Sequence, residues 1–451
     1  MTIHKIYRKT VNGIRGILGP GMLYKYAEQR EHRNILDKLM QMYSLGGLSY
    51  EDRQRLNREL LYRSVALAGI NVPYYKDIFS SMRFNPEKLR TDIRYLEDLP
   101  FLTKDIILEQ GQRMISTLCV DKRQFHCKTG GSTGKTVVVV YDQEAADWSA
   151  AATLYGRSLA GKTPFDSELH FSAKFDDVPS RKAKLREDIK IFSMNRFNYF
   201  FSSYSREDMV GMWRYIESKM PKLVHSHPST MYALALTVRD ERLNVPAFEI
   251  FESSGELLNT SKRRAIEQYL KCRVVDRYGL AELGVVGYED GYKEEWLRTF
   301  DGFAWVESVG GQLVMTSMKN DCMPMIRYNS GDSGEIAVEN GYRYITNIGG
   351  RIHDTVTMNG KATPTHYIQD IIDHRVGDCE EFQIIEKKDG GYILCIVERP
   401  GADRNALTAR LAQYFGSEFE IRFIPTEELR LVGSRNKFRY LVRETDDKDR
   451  S

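Results

Sequence analysis

The chain has 451 residues, 42% hydrophobic and 28% charged, the balance of an ordinary globular protein with room for about three average domains. Its 65 Lys and Arg against 62 Asp and Glu leave a net charge of +3, so no global field directs it to nucleic acid. No stretch approaches the roughly eighteen apolar residues of a membrane span. The start shows no apolar core with a small-residue cleavage site, and the expected compartment is the cytoplasm. Cys119, Cys127, Cys272, Cys322, Cys379 and Cys395 are scattered without a CxxC pair or zinc spacing, as suits reduced thiols.

Residues 1–99 read as a helical lead-in, with apolar positions three and four apart through Ile35, Leu36, Leu39, Met40 and again through Leu60, Leu61, Val65, Leu67. Lys5, Arg8, Lys9, Arg15, Lys25, Arg30 and Arg33 outnumber Glu28 and Glu31 at its beginning. A solvated basic helix face is the expected reading, with a weak peripheral contact to an anionic membrane as the alternative. Asn71-Val72-Pro73-Tyr74-Tyr75 interrupts the pattern, because Pro73 limits any helix there.

Cys127-Lys128-Thr129-Gly130-Gly131-Ser132-Thr133-Gly134-Lys135-Thr136 packs glycines, hydroxyls and two lysines into ten positions. Backbone N–H groups, hydroxyls and ammonium groups of this kind can wrap phosphate oxygens. The GxxxxGK[ST] spacing fails, since Thr129 stands five positions before Gly134. The β-branched run Val137-Val138-Val139-Val140 that follows predicts a strand, whereas a P-loop opens a helix. The loop therefore joins two strands, as a nucleotide phosphate clamp or as a plain Gly/Ser/Thr hairpin.

From residue 125 to 348, short apolar strands alternate with helical stretches, which predicts an α/β layered domain. Leu223-Val224-His225 is strand-like, and Ser229 is a candidate cap for a helix over 231–239. Phe248-Glu249-Ile250-Phe251 predicts a strand, 260–270 a helix, and Cys272-Arg273-Val274-Val275-Asp276 a strand leading into Arg277-Tyr278-Gly279-Leu280-Ala281-Glu282. Open α/β sheets place ligands at such strand ends. His225 and His227 lie on one side of a strand without an evident third ligand, so metal binding is not expected there. Beyond Gly349-Gly350-Arg351, a strand over 392–397, a helix over 404–415 and a strand over 420–424 make a small α+β domain, and 445–451 a charged tail.

Taken in order, these motifs resemble the adenylate-forming superfamily, in the branch of phenylacetate-CoA ligases and related capsule-biosynthesis proteins, over roughly residues 73–444. The resemblance implies a large multi-layered α/β N-terminal domain, 1–349, and a small mobile α+β C-terminal domain, 350–451. It implies that Thr129, Gly130, Gly131, Ser132, Thr133, Gly134 and Lys135 hold phosphates, although Thr136 replaces the usual proline. Ser254, Gly255 and Glu256 would pack beside the adenine with Tyr278 and Gly279. Glu282 would hold Mg²⁺, and Asp332 of Tyr328-Asn329-Ser330-Gly331-Asp332 would accept the ribose hydroxyls. Arg351 would contact ribose or phosphate. His353 replaces the first of the usual acids at the hinge position.

Lys437 of Ser434-Arg435-Asn436-Lys437 corresponds to the lysine that reaches the carboxylate and α-phosphate during adenylation. Some relatives carry a cysteine/histidine metal site after the tyrosine-glycine motif, but between Leu283 and Val309 this chain has neither residue, so no zinc is expected. Family position offers Phe171, Ser172 and Phe251 as acyl-pocket candidates. The implied reaction joins a carboxylic acid to ATP as an acyl-adenylate, releases pyrophosphate, and passes the acyl group to coenzyme A. The alternatives are an amine acceptor, as in surface-polysaccharide synthesis, and a catalytically silent nucleotide-binding relative. Retention of Lys135, Glu282, Asp332, Arg351 and Lys437 speaks against the last.

Overall fold

The computed structural model describes residues 3–128, 137–173, 181–201, 204–349, 355–358, 360–416, 418–432 and 437–444. The chain divides into two units, one formed by 1–15, 166–274 and 349–451 and the other by 16–165 and 275–348.

In the first unit, four strands stand in the order Ile250–Ser253, Leu223–Ser226, Glu168–Ala173, Arg196–Phe201, every neighbouring pair parallel. Parallel neighbours cannot be joined by tight turns, so the chain crosses over through helices Arg181–Ser193, Arg206–Lys219 and Pro228–Asp240. Ser205 caps Arg206–Lys219 by accepting from Asp208 N, and Asn259 caps Thr260–Leu270 by accepting from Lys262 N. Trp213, Met231, Phe251, Ile266 and Leu270 are fully buried between these layers. The segment 349–451 adds a second sheet in the order Phe419–Phe423, Tyr392–Glu398, Cys379–Glu386, Leu441–Arg443. Helix Arg404–Phe415 packs on it through Leu407, Leu411 and Phe415. Val397, Leu429, Leu431 and Phe438 of this segment join the apolar cluster of the parallel sheet.

The second unit is helical at its start, with Ile35–Gly46, Tyr50–Asn71, Pro73–Met82 and Gln143–Leu159. Its strands follow the order Ala304–Val309, Gln312–Ser317, Tyr328–Glu339, Tyr342–Gly349, Leu297–Thr299, Gly284–Glu289, Arg273–Leu280. A separate antiparallel hairpin pairs Gln124–Lys128 with Val138–Asp142, so that Lys128 faces Val138.

The mixed α/β architecture and most elements agree with the sequence reading, including helices Thr260–Leu270 and Arg404–Phe415 and the strands flanking the glycine-rich loop. Pro73 does end one helix, but it also opens the next at its first position, where the missing N–H costs nothing. Ser229 is not the cap expected of it. The helix starts at Pro228 with His227 at the cap position, and Ser229 lies inside the first turn, buried. The strand expected at 248–251 runs instead over Ile250–Ser253, and the one expected to stop at 276 continues to Leu280. Tyr278 and Gly279 are therefore strand residues rather than part of the following loop.

Candidate active site

Strands Arg273–Leu280 and Gly284–Glu289 form an antiparallel hairpin in which Leu280 faces Gly284. Position 279 favours glycine, because a Cβ there would crowd Gly284 O at 3.0 Å. Gly284 itself has φ +86°, open to glycine and strained for other residues. The turn Ala281-Glu282-Leu283 that results buries the Glu282 side chain. Tyr328 Oη donates to Glu282 Oε1 at 2.7 Å, and Lys104 Nζ lies 3.7 Å from the same oxygen. Tyr141 Oη donates to Ala281 O at 2.6 Å, which pins the turn to the strand that follows the glycine-rich loop. Burial drives the Tyr141 phenol well above its ordinary value, so it remains a donor.

Asp332 stands on the neighbouring motif. Gln312 faces Ser333 but Val314 faces Asn329, so four steps on one strand answer two on the other and the chain bulges at Ser330-Gly331-Asp332. Gly331 takes φ +79° in that bulge, and the Asp332 N–H donates to Ser330 Oγ at 3.1 Å. The buried Asp332 carboxylate accepts from Tyr278 Oη at 2.6 Å. Each motif thus supplies the phenol that holds the other's carboxylate: Tyr278 holds Asp332, and Tyr328 holds Glu282. A hydrogen bond to a charged group is worth about 1.5–3 kcal/mol net, enough to fix both acids against a ligand.

Lys104 was not anticipated from the sequence. Leu102 pairs in parallel with Tyr328, through Leu102 N to Arg327 O at 3.0 Å and Asn329 N to Leu102 O at 2.9 Å. Thr103 then caps helix Lys104–Gln110 and sets Lys104 beside Glu282. A threonine-lysine pair opening a helix after an apolar strand-like run is a common pattern, so it gave no signal by itself.

The first unit holds another group of the candidates. Ser254 O accepts from His227 Nδ1 at 2.7 Å, and Gly255 takes φ +83°. Glu256 Oε2 accepts from Ser229 N at 3.2 Å and Ser229 Oγ at 2.5 Å, while Oε1 accepts from Phe438 N at 3.0 Å. Phe438 directly follows Lys437 on the short strand Lys437–Phe438, which pairs with Leu431–Val432. Glu256 therefore fixes the backbone that carries Lys437. Nearby, Lys262 and Glu381 form a fully buried ion pair, with the Lys262 ammonium 5.1 Å from the Phe438 ring centre. His225 Nδ1 faces Glu252 Oε2 at 2.9 Å, so the two histidines of His225-Ser226-His227 serve different partners. Phe251 is buried in the core cluster with Phe171 packed against it.

Thr129, Gly130, Gly131, Ser132, Thr133, Gly134, Lys135, Arg351 and His353 lie outside the described residues, as do the side chains of Ser172 and Lys437. Among the described residues no cluster of three or more His, Cys, Asp or Glu side chains could hold a metal ion.

No family model matches the chain. It is 25% identical over 374 residues to the phenylacetate-coenzyme A ligase of Pseudomonas putida, covering 75% of this chain and 79% of that one. To CapK of Staphylococcus aureus it is 23% identical over 373 residues, 78% and 79% of the two chains. Among solved structures, 2-hydroxyisobutyryl-CoA ligase in its postadenylation state with 2-HIB-AMP matches over 89% of this chain and 91% of that one, with a TM-score of 0.69 at 18% identity. That likeness shows a shared fold. In sequence the chain is similar to adenylate-forming ligases, as a distant homologue of the phenylacetate-coenzyme A ligases and of CapK.

Proposed function

We propose that this protein activates a carboxylic acid with ATP and passes the acyl group to coenzyme A. The observation that carries the reading is the exchange of phenols between two buried carboxylates, Tyr278 to Asp332 and Tyr328 to Glu282. One acid suits a pair of ribose hydroxyls, since a carboxylate accepts several hydrogen bonds through its two oxygens. The other suits the phosphate end. Mg²⁺ is usually held by one or two carboxylates plus substrate phosphates and water, and a single buried Glu282 beside an ammonium matches that demand. When bound, Mg²⁺ would offset the charge of the phosphates.

In this reading the backbone and hydroxyls of Thr129, Gly130, Gly131, Ser132, Thr133 and Gly134 wrap the phosphates. Ser254, Gly255, Tyr278 and Gly279 border the adenine, and Arg351 contacts ribose or phosphate. A carboxylate oxygen of the acid attacks the α-phosphorus and forms a P–O bond as the bond to pyrophosphate breaks. Lys135 and Lys437 offset the charge that develops there, each such donor being worth about 10²- to 10³-fold in rate. The coenzyme A thiol, losing its proton, then attacks the acyl carbon and AMP leaves, once the 350–451 segment has turned about the His353 position. The identity of two phenylacetate-coenzyme A ligases at 25% and 24% supports coenzyme A as acceptor.

Pyrophosphate release from ATP and Mg²⁺ across a panel of aliphatic and aromatic acids tests the proposal, with coenzyme A and then amines added. Release that needs an acid and ends in an acyl-CoA supports it. Amide products in place of thioesters would replace the acceptor, and no release with any acid would overturn the reading.

A further inference from the structure

Gln383, on strand Cys379–Glu386, is 1% exposed, and its buried amide has no part in the chemistry proposed for this chain. The side chain makes three hydrogen bonds, all to one other piece of backbone. Nε2 donates to Arg430 O and to Arg439 O, both at 2.9 Å, and Oε1 accepts from Arg430 N at 2.9 Å. Arg430 and Arg439 stand immediately outside the ladder in which Leu431 faces Phe438 and Val432 faces Lys437. The amide therefore ties the two chains of that ladder together at its open end. A ladder of two residue pairs cannot hold its own shape, since even a longer isolated hairpin is marginal in water. One residue on, Ile384 N donates to Tyr440 O at 2.7 Å, so backbone pairing continues where the side chain leaves off. An amide offers two donors and an acceptor in one plane, and asparagine is one methylene shorter, so glutamine is the side chain that fits all three bonds.

Two anchors thus act on the strand Lys437–Phe438, and they differ in kind. Glu256 takes Phe438 N at 3.0 Å from the 166–274 part of the unit, and holds the strand only while the 349–451 segment rests there. Gln383 belongs to that segment itself, so it holds the ladder in any position the segment takes. We propose that Gln383 is a positioning residue, whose amide fixes the backbone that carries Lys437 and so sets the rate of adenylate formation. The inference rests on the role proposed for Lys437.

Rapid-quench adenylate formation, and transfer to coenzyme A from synthetic acyl-adenylate, test this on the full chain with Gln383→Leu, Gln383→Glu and Lys437→Ala. Gln383→Leu slows adenylate formation about 10- to 100-fold and transfer by less than about threefold, a split that a general loss of structure does not produce. Exchange of the Arg430 amide hydrogen, which loses its acceptor, quickens about tenfold or more in the same variant. Gln383→Glu keeps the acceptor for Arg430 N but turns a carboxylate on two carbonyl oxygens, which raises the pKa of the new acid. Protonated, it donates to one of them. Its adenylation rate relative to wild type therefore falls as pH rises from about 6 to about 8, a dependence that Gln383→Leu lacks. Less than threefold slowing by Gln383→Leu, equal slowing of both half-reactions, or a flat relative profile for Gln383→Glu overturns the proposal. Lys437→Ala separates the two failures. If it slows adenylation about 10²- to 10³-fold while the Gln383 variants do not, the clamp alone falls. If it leaves adenylation intact, the role of Lys437 falls and the proposal with it.

Discussion

Glu256→Ala should separate the two half-reactions. Glu256 Oε1 holds Phe438 N at 3.0 Å, one residue past Lys437, and its other oxygen anchors on Ser229 at the start of a buried helix. A bond from a backbone N–H to a carboxylate contributes about 1.5–3 kcal/mol net, and each 1.4 kcal/mol is tenfold in an equilibrium. Losing it should lower the population in which the Lys437 strand is held by about 10- to 100-fold. Adenylate formation, which on the proposed reading needs Lys437, should slow by that factor in rapid-quench experiments. Transfer from synthetic acyl-adenylate to coenzyme A should change less than about threefold, because it does not use that lysine. Glu256→Gln keeps an oxygen acceptor and should recover most of the rate. Equal slowing of both half-reactions, or no slowing of the first, would refute the positioning role.

Lys437→Ala should reduce adenylate formation by about 10²- to 10³-fold with transfer nearly intact, measured in the same two assays. Tyr278→Phe removes the donor to Asp332 and should raise the KM for ATP about tenfold with a smaller change in kcat. Lys262→Met strands the buried Glu381 carboxylate and should cost about 3–5 kcal/mol in urea unfolding, most of which Glu381→Leu should restore. Burial pushes the Glu307 carboxyl from its ordinary 4.5 up to about 7, despite Arg327 at 3.8 Å. The folded state therefore favours the protonated acid, a contribution fully present below about pH 4.5 and lost as pH rises through about 7. Glu307→Gln should raise stability by about 1–3 kcal/mol at pH 8 and by little at pH 4, read from thermal melts.

Local pattern was legible wherever neighbours in sequence decide the outcome. The helix Thr260–Leu270 has periodic apolar residues and an asparagine cap just before it, and the strand pair around the glycine-rich loop follows from β-branched runs. Ser229 misled because serine is a good cap by propensity. Here its hydroxyl is claimed by Glu256, twenty-seven residues away, and Pro228 fills the first helical position. The motifs themselves were legible by order and spacing. Their mutual support was not, because the phenol exchange links residues 46 and 54 apart and depends on a bulge that sequence does not reveal. Lys104 reaches Glu282 only through pairing of the 102 segment with Tyr328. The basic start of the chain was visible in composition, but the face it presents was not. Asn12 and Arg15 turn inward onto partners 207 and 181 residues away, Lys25 and Arg30 are exposed as expected, and the side chains of Lys5, Arg8 and Lys9 lie outside those described.

The central claim is that bond-making happens at the α-phosphorus of ATP. Incubation with ATP labelled at that phosphorus, Mg²⁺ and a cognate acid, followed by chromatography of the quenched mixture, tests it most directly. The account predicts label in an acid-dependent acyl-adenylate, moving to AMP when coenzyme A is added, with unlabelled pyrophosphate released. Label recovered in ADP would place the cleavage at the terminal phosphate and contradict it.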